Sequence, residues 1–154
     1  MMSAIMTKRI IPPSPATSFL ASDSKVREIV RQLRNVAVVG MSSDLGSDAA
    51  LDAYRLMAYG FQFFPVHSEC ENALGHSCVP HLHDVTSDID IVQMLPNAEV
   101  SMIHLAKEAI HKRPKVFWVE DAPVEPDVAE LLVEEGIQVV AERNLQKEFF
   151  RFSE

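Results

Sequence analysis

Five short runs of apolar residues recur along the chain, each set off from the next by a polar or helix-patterned stretch. They are Val36–Val39, Phe61–Val66, Ile89–Leu95, Val116–Val119 and Ile137–Ala141. The runs are too short for buried helices and are apolar at nearly every position. This pattern marks strands covered on both faces. Between them the apolar period lengthens to that of a helix. Val26, Ile29, Val30 and Leu33 share one face of a helix capped by Ser22 or Asp23 and running to about Arg34. A second helix is expected over 48–59, closed by Gly60, a third over 99–112, and a fourth over 125–135, stopped by Gly136. The stretch 68–80 reads as loop-rich, a short turn or helix follows near Leu82–Val85, and the chain ends in a polar, partly helical tail.

Strands alternating with helices of crossover length predict an α/β domain. It is Rossmann-like and doubly wound, with a mainly parallel sheet of five or six strands and helices on both faces. Val38, Phe63, Val92, Phe117 and Val139 are its expected core. Ligands of such sheets bind at the carboxyl ends of the strands, near the point where strand order reverses. That singles out the loops 41–47, 66–71, 95–99 and 120–123. Residues 1–20, with Pro12, Pro13 and Pro15, are expected to be a flexible tail, and 21–154 a single domain.

Charge narrows the partners. The 154-residue chain is 47% hydrophobic and carries a formal net charge of −8. Its basic residues are scattered, apart from Lys112, Arg113 and Lys115. A nucleic-acid binder would carry a basic patch, so nucleic acid is not an expected partner, nor is an anionic membrane surface. No apolar run approaches the roughly 18 residues of a membrane helix. Two cysteines, Cys70 and Cys78, make no disulfide framework, and the first nineteen residues lack a signal-peptide core. A reducing cytoplasm is the expected setting.

Candidate chemistry is sparse. The loop after the first strand, Gly40-Met41-Ser42-Ser43-Asp44-Leu45-Gly46-Ser47, is neither a dinucleotide fingerprint nor a P-loop. It does feed small residues into a helix N-terminus, where backbone N–H groups favour a phosphate. His67, Cys70, His76, Cys78, His81 and His83 include good zinc donors, but their spacing matches no finger or ribbon, and no metal site is expected. Glu120 and Asp121, just past a strand end, are read as a solvated turn before Pro123. No nucleophile–base pair stands out, so no catalytic residue is assigned.

One resemblance gathers these features. Val36–Ser42, Gly60–Val66, Asp90–Val92, Lys115–Val119 and Glu135–Val140, with Arg143 and Lys147-Glu148 beyond them, resemble the small CoA-binding protein family. That family shares its domain with the CoA-binding part of succinyl-CoA synthetase α subunits. The resemblance implies a non-catalytic CoA-binding protein with a sensing, carrier or regulatory role. Gly40, Met41, Ser42, Ser43 and Ser47, with the helix near Asp48, would meet the pyrophosphate. Val66 and His67 would border the adenine and ribose, Pro96 and Asn97 the opposite lip, and Arg143 a phosphate.

The departures fall on the ligand side. Asp44 and Ser47 stand where basic residues are usual, Leu95-Pro96-Asn97 replaces a basic run, and His67-Ser68 replaces Asn-Pro. Glu120 stands for a Gln, and Asn144 for a Cys. The alternative is a degenerate CoA-binding fold acting as an interaction module or homodimer. Its contacts would be the proline-rich N-terminal segment and Phe149-Phe150-Arg151-Phe152.

Overall fold

The computed structural model describes residues 19–41, 44 and 46–153. Helix α1 (Asp23–Gln32) leads into β1 (Asn35–Val39), α2 (Asp48–Met57) and β2 (Gln62–Val66). A small hairpin follows, β3 (Asn72–Ala73) and β4 (His76–Ser77), then a 3-10 turn at Leu82–Asp84. β5 (Ile91–Met94), α3 (Met102–Lys112), β6 (Val116–Glu120), α4 (Pro126–Glu134), β7 (Gln138–Arg143) and α5 (Leu145–Arg151) complete the order.

β1, β2, β5, β6 and β7 form one five-stranded sheet, wholly parallel, in the order β2-β1-β5-β6-β7. The alternation of side chains along each strand splits the core into two. Val36 and Val38 face a cluster with α1, α2 and α5, whereas Ala37 and Val39 face a second with α3, α4 and the 3-10 turn. The five residues expected in the core are all buried.

Helix ends follow local chemistry. Ser22, Ser47 and Ser101 cap α1, α2 and α3, each hydroxyl accepting a backbone N–H three residues on. At the amino edge of the sheet, the Asp90 carboxylate accepts N–H bonds from Arg34 and Asn35 at 3.3 and 3.2 Å and faces Lys115 at 3.6 Å. It thereby ties the starts of β1, β5 and β6 together.

Two expectations are revised. The loop-rich stretch contains the β3–β4 hairpin, turned by Leu74 (φ 56°) and Gly75 (φ 79°). Two successive left-handed residues match the twist of a two-residue hairpin turn. Leu74 tolerates that backbone because its side chain is buried in the α1/α2/α5 cluster. The aromatic tail, expected to offer partner contacts, docks on its own chain. Phe149 is buried, Phe150 and Phe152 pack beside it, and Arg34 lies over the Phe61 and Phe149 rings at 4.6 and 5.3 Å. Of the expected N-terminal tail, residues 1–18 lie outside the described residues. Leu20 is already bridged to Val139, and the Ala21 N–H donates to the Val139 carbonyl at 2.8 Å.

Phe117 is fully buried on the α3/α4 face. Phe117→Ala should destabilise the protein by about 3–5 kcal/mol. Urea melts check this, and a change below about 1 kcal/mol would contradict its place in the core.

Candidate functional site

The order of strands reverses between β1 and β5, since the chain leaves β1 toward β2 and returns on the other side. At the carboxyl edge there, β1 ends in Gly40 with φ +100°, and the Gly40 N–H donates to the Val66 carbonyl at 3.0 Å. A Cβ on Gly40 would stand 2.7 Å from Ala98 Cβ and 2.9 Å from Ala98 Cα. The loops after β1 and β5 therefore touch backbone to backbone, and only a residue without a side chain fits between them.

Beside this contact, on the α3 face, opens a cleft of about 390 Å³. Its floor is apolar, from Val39, Val66 and Leu105, and its walls carry His67, His81 and His104 together with Glu69, Glu99 and Glu108. The segment leading into α3 closes one side through Glu99, Val100 and the Ser101 cap. No Lys or Arg is among the described lining residues. The His67 ring is fixed by the Glu69 N–H, which donates to Nδ1 at 3.0 Å. This leaves the ring proton on Nε2, free to donate. Glu108 is engaged from outside by His83 Nδ1 at 3.0 Å.

A second, tight recess of about 10 Å³ lies on the opposite face, between Met41, Asp52, Phe63, Gln93, Glu120 and Gln146. Here the reading of Glu120-Asp121 as a solvated turn is corrected. Asp121 is exposed, but Glu120 is only 6% exposed. The cause is strand alternation together with an irregular register between Val119 and Glu120, which turns the side chain inward beside Trp118. The Leu145 N–H donates to Glu120 Oε1 at 3.0 Å, anchoring the start of α5. Burial, reinforced by Asp121 and Asp52, pushes the Glu120 carboxyl up to about 7 from an ordinary 4.5, against the opposing hydrogen bonds from Leu145 and Gln93.

The expected binding residues divide between these places. Gly40, Val66 and His67 line the cleft. Pro96 and Asn97 are exposed in the adjoining loop, next to Ala98 and Glu99, which do line it. Met41 is buried in the second recess, and the Ser47 hydroxyl accepts the Ala50 N–H at 3.1 Å as the cap of α2. Arg143 lies on the edge strand β7, bound to Asp23 at 2.8 Å and Glu148 at 2.7 Å. Ser42 and Ser43 lie outside the described residues. Glu99 closes one of the loops that the sequence singles out, His81 enters there only as a candidate metal donor, and His104 is not foreseen. The expected helix start near Glu99 is the signal for His104, because one turn places residues 101 and 104 on one face. Among the described residues no three or more His, Cys, Asp or Glu side chains converge as metal ligands, and no helix is long and apolar enough to cross a membrane.

Residues 34–148 match the family model described as a CoA binding domain. The chain is 26% identical over 119 residues to the uncharacterized protein YneT of Bacillus subtilis, covering 77% of this chain and 87% of that protein. A hypothetical protein from Pyrococcus horikoshii superposes with a TM-score of 0.78 at 25% identity, over 96% of this chain and all of that one. A Thermus thermophilus structure gives 0.75 at 26% identity, over 86% and 99%.

Gly40→Ala should destabilise the fold by about 1–3 kcal/mol, since it combines a left-handed backbone with a backbone clash. A denaturant midpoint equal to that of the parent would contradict the contact with Ala98. Glu120 gives a pH signature. Its folded value is raised, so its contribution is fully present below 4.5 and is lost as pH rises through about 7. Glu120→Gln should match the parent near pH 4 and exceed it by up to roughly 3 kcal/mol at pH 8. Parallel pH–stability curves for the two proteins would refute the raised value.

Proposed function

We propose, from the premise that this chain belongs to the CoA-binding domain family, that it is a non-catalytic CoA-binding protein whose ligand occupies the switch-point cleft. Its role would be to sense, carry or report a CoA-type ligand. The observation that carries this reading is the cleft itself. It lies at the carboxyl edge between β1, β2 and the first turn of α3, with Gly40 letting the two loops close on each other. The apolar floor suits the adenine ring, and the His67 Nε2–H suits a ribose or phosphate oxygen.

Affinity should be modest. A charge-assisted hydrogen bond contributes about 1.5–3 kcal/mol, and the described lining offers no permanent cation to make one. Three carboxylates in the walls oppose an anionic ligand further. A binding rather than a chemical role is favoured because the His67 imidazole faces the cleft as a donor rather than as a base: its Nδ1 accepts the Glu69 N–H, which leaves the ring proton on Nε2. The aromatic end of the chain packs on its own core, which leaves less apolar surface for a docking role.

Calorimetry with CoA, desulfo-CoA and 3′-dephospho-CoA tests the reading. CoA and desulfo-CoA should bind alike, and removal of the 3′-phosphate should weaken binding little. Asn97→Arg with Glu99→Lys restores cations beside the cleft without touching Asp44, whose carboxylate accepts the Gly46 N–H. The pair should tighten CoA by roughly two decades or more, at about 1.4 kcal/mol per decade. No heat from any ligand, in the parent or in this variant, would remove the cleft as a CoA site.

A further inference from the structure

Cys70 and Cys78 flank the β3–β4 hairpin, and their Sγ atoms stand 2.7 Å apart, with Cys78 donating to Cys70. Both are free and half-buried. The backbone holds them there. The Cys78 N–H donates to the Glu71 carbonyl at 2.9 Å, and the next residue, Val79, exchanges bonds with the end of β2. The Val79 N–H donates to the Pro65 carbonyl at 3.1 Å, and the His67 N–H to the Val79 carbonyl at 2.9 Å. The two sulfurs are thus carried on a hairpin fastened to the sheet, and they need no rearrangement of the chain to meet. The segments beyond them, His67–Glu69 on one side and Pro80–His81 on the other, are both part of the cleft wall.

We propose that Cys70 and Cys78 form an oxidisable dithiol that closes to an intramolecular disulfide by exchange with a low-molecular-weight disulfide, fixing the rim of the cleft. Burial, with the hydrogen bond to Cys70 and its charge, pushes the Cys78 thiol up to about 12, so Cys78 stays protonated while Cys70 is the entering nucleophile. The Cys70 thiolate attacks one sulfur of the small disulfide. That sulfur–sulfur bond breaks, a small thiolate leaves, and a mixed disulfide remains on Cys70. Cys78 then loses its proton to solvent and attacks the Cys70 sulfur, expelling the second small thiolate. In sum two protein thiols give up two electrons and two protons, and the small disulfide is reduced to two thiols. A metal role for the pair lacks further ligands among the described residues.

The experiment equilibrates the whole chain with glutathione and glutathione disulfide at graded ratios and reads intact mass, linked peptides and amide exchange. The expected result is loss of two hydrogen atoms, a single Cys70–Cys78 linked peptide, and slower amide exchange over 67–69 and at His81 in the oxidised form. Cys78→Ser should accumulate a stable glutathione adduct on Cys70, and Cys70→Ser should form an adduct far more slowly. A parent chain that keeps glutathione on one cysteine without closing overturns the proposal. So do thiols that stay reduced under oxidising ratios, or rim exchange that is the same in both redox states. No CoA is present in this test, so its failure and that of the CoA reading are separate results.

Discussion

A parallel sheet must be covered on both faces, because its strands expose an apolar row to either side. Here the strands are only four to six residues long, so each contributes two or three side chains per face. Neither face alone can bury enough. The consequence is the split core: Val36 and Val38 are held by α1, α2 and α5, and Ala37 and Val39 by α3 and α4. With helices occupying both faces, the open ground left is the edge where strands end. The cleft beside Gly40 and the recess around Glu120 sit back to back on that edge, one per face.

Much of this was legible in the sequence. A run such as Val36–Val39 is apolar throughout because both faces are covered, and the crossover lengths between runs fix a parallel order. The hairpin was not legible. Its strands are two residues long, below any detectable period, and its turn places Leu74 in a backbone conformation that sequence does not suggest. Glu120 misled for a different reason. An acid at a strand end is ordinarily solvated, yet alternation from Trp118 carries it to the α2/α5 face, where Gln93 and the Leu145 N–H receive it. Arg143 illustrates what only the fold supplies: its carboxylate partners come from the first helix and the last.

The cleft combines a tightly set frame with a rim of imidazoles and carboxylates. The frame is the close Gly40–Ala98 contact, the first turn of α3 and the apolar floor. The side chains around them are imidazoles and carboxylates, with no Lys or Arg among the described lining. Shape is set by the packing of β1, β2 and α3 and is costly to alter, whereas rim charges change without disturbing the core. The two properties are therefore physically separable.

One corner of the molecule joins elements from opposite ends of the fold. Asp23, at the start of α1, reaches Arg143 at 2.8 Å and Arg151, in the last turn of α5, at 3.0 Å, and the hydrogen bonds from these two side chains, with their charges, hold its carboxyl below the usual range. The end of the same helix is held as well, since Arg31 Nε donates to the Phe152 carbonyl at 3.1 Å and Arg27 lies over the Phe152 ring. α1 is therefore joined to the end of α5 at both of its own ends, away from the cleft. The two helices act as one cover over their face of the sheet, so a change that loosened α1 would release α5 with it.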